Sequence, residues 1–185
     1  MPRCFAGVVL ACFVLTPSLC ESTAQREQAG IIEIDGKKNP ERVPEYRVWA
    51  ATFRTFAGGV RMLPDRVREH VSTAEETMIF AEADHLQKVQ ADCVKRLVDA
   101  REPLAALERT GAGSKSRIAV AKEVDTVMWE IELGCRWETL HARDRVLERL
   151  NPNGRAALLA FVESRKAGLS FTVPKNGMDR FRQPQ

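Results

Sequence analysis

The chain has 185 residues, of which 29% are charged and 44% are hydrophobic, and its formal net charge is +3. This length suits one domain with a substantial core, and the composition is that of an ordinary globular protein rather than a disordered or fibrous one. The small net charge gives no support to the strongly basic surface of a nucleic-acid-binding protein, so we predict no nucleic-acid partner.

The first 20 residues are typical of a secretory signal peptide. A single Arg3 precedes the apolar run 5–15, and small residues then allow cleavage after Cys20 or after Ala24. Lipidation of a leader cysteine and a retained anchor are less favoured alternatives, since the apolar run is short for crossing a membrane. We therefore expect an exported protein, periplasmic or extracellular, with no transmembrane span in the mature chain.

Residues 21–43 are predicted to form a tether and an extended lead-in. The part 21–30 is polar and without periodicity, which favours disorder. Turn signals follow at Asp35-Gly36 and Asn39-Pro40, and they exclude a long helix.

Residues 44–168 carry the periodicity of several amphipathic helices. The first helix is expected to begin at Pro44, and its apolar stripe comprises Tyr46, Trp49, Phe53, Phe56, Val60 and Leu63. Two overlapping capping boxes, Ser72 with Glu75 and Thr73 with Glu76, predict the start of a long helix that Pro103 should end or kink.

A second long helix is predicted for about 115–150, after a loop in which Gly111 can serve as a C-cap. Asn151-Pro152 closes this helix and opens a last short one that ends at Gly168. We predict an irregular C-terminal tail for 169–185. The fold class is therefore all-α: an antiparallel helical hairpin or a small helical bundle with an irregular N-terminal lead-in and C-terminal tail.

The mature chain keeps two cysteines, Cys93 and Cys135, which are candidates for a disulfide. In an antiparallel hairpin, facing residues are equally distant from the turn, and the midpoint of these two is Ser114, inside the predicted loop. Both also lie on the apolar face of their helix, so we predict a cross-helix disulfide. Two unbridged, buried cysteines are the alternative.

Two histidines share one pattern, Glu82-x-x-His85 and Glu138-x-x-His141. Pairs of this kind on two helices bind the metals of ferritin-like carboxylate proteins. However, His141 should point away from the core if Cys135 points inward, and the first helix offers no inward glutamate. We predict no metal, no cofactor and no catalytic residue; a metal-binding protein or metal-dependent oxidoreductase is the alternative.

Arg47, Arg54, Arg61 and Arg68 recur every seven residues beside the aromatic stripe. On one continuous helix they would form a basic ridge for acidic protein or an anionic envelope surface. The alternative is a solvated face whose arginine stems cover apolar neighbours. We therefore predict a non-enzymatic, exported helical protein that binds protein or envelope partners, and the sequence does not indicate its oligomeric state.

The segment 34–49 resembles the lead-in of a group of uncharacterised, secreted bacterial helical proteins. The matching residues are Asp35, Gly36, Asn39, Pro40, Glu41, Pro44 and Glu45. This resemblance implies export and a helical fold, and it supplies no catalytic residue.

A looser likeness is to periplasmic chaperone and stress proteins of the Spy and CpxP type, which are curved helical hairpins. The segment 150–163 occupies a place similar to their Leu-Thr-x-x-Gln helix start, although Asn151 replaces the threonine and Arg155 stands near the expected glutamine. The likeness implies a chaperone-like role by architectural analogy.

Overall fold

The computed structural model describes residues 31–57, 62–111 and 113–174. The predicted signal peptide, the tether, Val60 and Arg61 lie outside these residues. In chain order the elements are β1 (Ile31–Asp35), a 3-10 turn (Pro40–Arg42), α1 (Glu45–Phe56), α2 (Asp65–Arg68), α3 (Thr73–Arg109), α4 (Ser114–Arg149), α5 (Pro152–Arg165), a second 3-10 turn (Lys166–Gly168) and β2 (Ser170–Pro174). The main compact unit spans Ile34–Phe171, and 31–33 and 172–174 belong to a second, small unit.

The predicted antiparallel hairpin is confirmed: α3 and α4 form the most extensive helix pair. Gly111 makes the turn with a φ of 66°, a left-handed conformation that glycine adopts without strain. Within the described ranges, no helix combines the length and the apolar content that crossing a membrane requires.

Pro103 does not end α3, contrary to one of the two predicted outcomes. The helix continues through it to Arg109. A proline removes one backbone hydrogen bond, while contacts to α4 hold the turns on both sides. Arg101 lies 3.4 Å from the Met128 sulfur on one side, and Glu108 pairs with Arg117 at 3.6 Å on the other.

The core lies where α1, α2 and α5 cover the base of the hairpin. The apolar stripe of α1 is inserted there, with Val48, Trp49, Phe53 and Phe56 all buried. Their buried partners on the other helices include Val67, Ile79, Ala83, Leu86, Ala142, Val146, Leu158 and Phe161. Phe56 stacks on Phe161 with ring centroids 5.9 Å apart, so the first and last helices are in direct contact.

The starts of α3 and α5 share one carboxylate. The Ser72–Glu75 capping box forms as predicted, and Ser72 is the N-cap, so Thr73 belongs to the helix instead of capping it. The Glu75 carboxylate accepts from the backbone N–H groups of Ser72, at 2.7 Å, and Asn151, at 2.6 Å. Asn151 also caps α5 as predicted, by accepting from the N–H groups of Asn153 and Gly154.

The C-terminal tail is not irregular throughout, and this part of the prediction was wrong. Ser170–Pro174 is a strand that pairs with β1 in a two-stranded sheet. The N–H of Gly36, just after β1, donates to the carbonyl of Leu169, just before β2, at 2.8 Å, so the strands run antiparallel. A five-residue strand carries little periodicity, and its partner lies at the other end of the chain.

Candidate functional site

Cys93 and Cys135 lie at disulfide-bonding distance, in agreement with the predicted pairing. Their sulfur atoms are 1.97 Å apart and their Cα atoms 6.4 Å apart. Cys93 is buried and Cys135 is partly exposed, and both line one cleft. The bond therefore links α3 to α4 at a surface that solvent reaches.

Beyond the two cysteines the hairpin continues as an arm of two helices, residues 94–111 and 113–134. Within these residues only Val124 and Ile131 are buried. From Cys93 to its end at Arg109, α3 rises by about 24 Å at 1.5 Å per residue. Large apolar side chains on this arm remain exposed: Val94 by 62%, Val98 by 64% and Ile118 by 70%.

A cleft of about 410 Å³ lies at the root of the arm, between α1, α3, α4 and the beginning of β2. The disulfide, Val94 and Leu97 contribute apolar surface from the hairpin. On the opposite side, α1 presents the small residues Ala50 and Ala51, which leave the space open. The charged residues of the lining are Arg47, Arg54, Glu132 and Arg136.

Two of these arginines are held by aromatic rings. The Arg47 guanidinium lies 4.4 Å from the Phe171 ring centroid, and its Nε donates to the Tyr46 hydroxyl at 3.1 Å. The Arg136 guanidinium lies 4.9 Å from the Tyr46 ring and 4.8 Å from the Trp129 ring, and it pairs with Glu132 at 3.2 Å. Cation–π contacts of this kind fix the direction of long, flexible side chains.

Arg54 differs from these two, because it is exposed and makes neither a hydrogen bond nor an ion pair with any residue that the structure describes. Its side chain still lines the cleft. A ligand can therefore bind the Arg54 guanidinium without breaking an internal hydrogen bond or ion pair, so binding does not carry that free-energy cost.

The four predicted ridge arginines do not share one helix. Arg47 and Arg54 lie on α1 and line the cleft, whereas α1 ends at Phe56 and Arg68 lies on α2. Arg68 pairs with Asp65 at 2.6 Å, and Arg61 lies outside the described residues. The seven-residue spacing therefore identifies two cleft residues but not a continuous ridge.

The two Glu-x-x-His pairs are not gathered around a common point. Glu82 forms a bidentate ion pair with Arg145 at 2.9–3.1 Å, which raises the pKa of that arginine. His85 and His141 are exposed, and the His141 ring packs at a tilt of 50° against Trp137, with ring centroids 5.3 Å apart. In the described ranges no group of three or more metal-ligating side chains comes together.

Sequence reasoning missed the aromatic groups that hold the cleft arginines. The predicted irregular tail contains Phe171, and no local pattern in the sequence connects this residue to Arg47, more than a hundred residues earlier. Arg136 follows Cys135 directly, so the predicted disulfide could have identified it as a neighbour of the bond. Comparison of the chain with protein-family models, curated proteins and solved structures found no match.

Proposed function

We propose that this protein is a non-enzymatic, exported binding protein that holds partner polypeptides on the arm and in the cleft at its root. The observation that carries this proposal is the exposed apolar surface of the arm, with Val94, Val98 and Ile118 more than half exposed. Val94 and Val98 lie one turn apart on α3, and adjoining exposed apolar side chains commonly mark a site of protein interaction.

The arm cannot cover this surface itself. A helix buries one apolar stripe against a single neighbour, and residues one step off that stripe face solvent. Val94 and Val98 follow the inward residues Cys93 and Leu97 by one position each, so they lie together beside the α3–α4 interface. Val94 also lines the cleft, so the apolar strip begins there and continues at Val98, one turn along α3.

Two observations support the proposed export. The N-terminal sequence is typical of a signal peptide, and a disulfide such as Cys93–Cys135 persists in oxidising compartments. The hairpin architecture also agrees with the likeness to periplasmic chaperone-like proteins, an analogy of shape. We infer a protein that contacts other exported proteins or envelope components outside the cytoplasm.

The test uses the full mature chain and citrate synthase, diluted from guanidinium chloride, as an aggregating client monitored by light scattering. We expect the wild type to suppress scattering. Val94→Gln with Val98→Gln should raise the concentration needed for half suppression by about tenfold, since loss of about 1.4 kcal/mol of apolar contact has this effect.

The matched control is Leu159→Gln, which changes an exposed apolar residue on α5, away from the arm. It should leave suppression unchanged. Absence of suppression by the wild type, or an equal loss in both variants, would contradict the proposal.

A further inference from the structure

We propose that Arg66 and Arg165 form a binding site for a terminal phosphate group, where α2 packs against α5. Neither residue lines the cleft or belongs to the arm, so this site goes beyond the binding of polypeptides. Three observations carry the inference. Both guanidiniums lie against one aromatic ring, both are held by hydroxyl groups, and neither pairs with a carboxylate among the described residues.

The Phe161 ring contacts both cations. The Arg66 guanidinium lies 4.8 Å from the ring centroid, and the Arg165 guanidinium lies 5.8 Å from it. Arg66 belongs to α2, whereas Arg165 lies one turn beyond Phe161 on α5, so two separate elements bring like charges to one place. Like charges at a short distance repel each other, and an anion bound to both removes this repulsion.

Hydroxyl groups orient both guanidiniums without neutralising them. Arg66 donates from Nη2 to the Ser164 hydroxyl at 2.6 Å. Arg165 donates from Nη2 to the Thr55 hydroxyl at 3.2 Å. Each hydroxyl donates its own proton to a backbone carbonyl of its helix, at 2.6 Å and 3.0 Å respectively. A guanidinium has five N–H groups, so the other donors of both arginines remain available to a ligand.

The acids that lie nearby in sequence are paired with other cations. On α2, Asp65 pairs with Arg68 at 2.6 Å. At the end of α5, Glu163 pairs with Lys166 at 2.7 Å. Packing against the ring explains where the two proposed site arginines lie, but the described part of the chain supplies no carboxylate to balance their charges.

Two guanidiniums from different helices favour a phosphate over a carboxylate. A carboxylate has two oxygens in one plane, which the fork of a single guanidinium can fill. A terminal phosphate carries a charge of about −1.5 to −2 at pH 7 and has three strong acceptor oxygens pointing in different directions. It can therefore accept hydrogen bonds from two arginines at once and balance both charges.

The test titrates the full mature chain with inorganic phosphate and follows the arginine Nε–H resonances by NMR. We expect saturable shifts at Arg66 and Arg165, and acetate at equal ionic strength should bind about tenfold more weakly. Arg66→Gln and Arg165→Gln should each raise the phosphate dissociation constant by about tenfold, because each removes one of the two charge-assisted contacts.

The matched control is Arg96→Gln, which removes the same charge from an exposed residue of the arm and should leave phosphate binding unchanged. Arg66→Lys keeps the charge but loses the planar fork, so it should weaken binding by about threefold, and it provides the comparison if a glutamine variant does not fold. The inference is overturned if phosphate gives no saturable shift, if acetate binds as tightly, or if the substitutions at Arg66 and Arg96 have equal effects.

Vesicles distinguish the two sources of a terminal phosphate. A lipid headgroup is the source if the wild type, but not Arg66→Gln with Arg165→Gln, sediments with phosphatidylcholine vesicles that contain phosphatidic acid. Inorganic phosphate should then release the protein from the vesicles. Saturable NMR shifts without sedimentation identify a free phosphate or a small phosphomonoester as the ligand.

Discussion

At the scale of single residues, Glu75 joins two helix starts that are far apart in sequence. Its carboxylate accepts hydrogen bonds from the backbone of Ser72, the backbone of Asn151 and the side chains of both. These bonds, with that from the Ser72 backbone largest, lower the pKa of Glu75 from 4.5 to about 2. Because the folded protein favours the ionised form, the carboxylate stabilises the fold above the unfolded pKa.

We expect Glu75→Gln to lower the free energy of unfolding at pH 7 by about 1–2 kcal/mol, since charge-assisted bonds at two helix starts are weakened. The folded pKa of Glu75 lies below its unfolded value, so its contribution is complete above pH 4.5 and is lost as the pH falls toward about 2. Urea unfolding across this range should show the difference between variant and wild type shrinking.

The control for this series is Glu76→Gln, the adjacent glutamate, whose predicted capping box with Thr73 does not form. It should change stability little at any pH. A wild-type advantage over Glu75→Gln that persists unchanged at pH 2 would contradict the role of the ionised carboxylate.

Gly36 lies in a turn that closely approaches the backbone of the second 3-10 turn. A Cβ atom at this position would overlap the carbonyl oxygen of Lys166 and lie 2.9 Å from that of Leu169. We expect Gly36→Ala to destabilise the protein by about 1–3 kcal/mol, because the turn that contains Gly36 and the second 3-10 turn would have to move apart to make room for the methyl group. Thermal unfolding measures the loss.

Gly134→Ala is the matched substitution, since no atom lies within 4 Å of the added Cβ on the exposed side of α4. There alanine should stabilise by about 0.5–1 kcal/mol through its higher helix propensity. Equal effects of the two substitutions would show that the close approach at Gly36 does not constrain the fold.

At the scale of elements, the α3–α4 hairpin depends on the link between Cys93 and Cys135. We expect Cys93→Ser with Cys135→Ser to lower the free energy of unfolding by about 3–4 kcal/mol, the chain-entropy value for a closed loop of this length. Denaturant unfolding of the oxidised protein, the reduced protein and the double variant measures the effect, and the last two should agree. Two free thiols in the mass spectrum of exported, unreduced protein would contradict the bond.

The elements that the sequence predicted correctly are those encoded by neighbouring residues. The capping box at Ser72, the turn at Gly111 and the N-cap at Asn151 each need only a few adjacent side chains, and the hairpin follows from two periodic segments around one loop. The cysteine pairing was predictable for the same reason. In an antiparallel hairpin, residues at equal distances in sequence from the turn lie opposite each other on the two helices.

The parts that sequence reasoning missed depend on contacts between distant segments. The strand Ser170–Pro174 exists through its pairing with β1, and Glu75 meets Asn151 only after α3 and α4 have packed. The cleft has the same origin, since Phe171 reaches Arg47 from the other end of the chain. The seven-residue arginine repeat includes two residues that line the cleft, but it could not show that α1 stops at Phe56.

At the scale of the main unit, apolar burial is concentrated at one end of the hairpin. Trp49, Phe53 and Phe56 fill the base, whereas the arm buries only Val124 and Ile131 of its described residues. The base therefore supplies most of the hydrophobic stabilisation, and the arm is free to present apolar side chains to a partner. This division agrees with the proposed binding role.

A long two-helix arm with few buried residues is the kind of element that two copies of a chain can exchange, each donating one helix to the other. Such an exchange requires the turn near Gly111 to open and α4 to leave α3. The bond between Cys93 and Cys135 closes the whole arm into a covalent loop, so the two helices cannot part. Oxidation thus keeps each arm within its own chain, and its exposed valines remain accessible for the binding role that we propose.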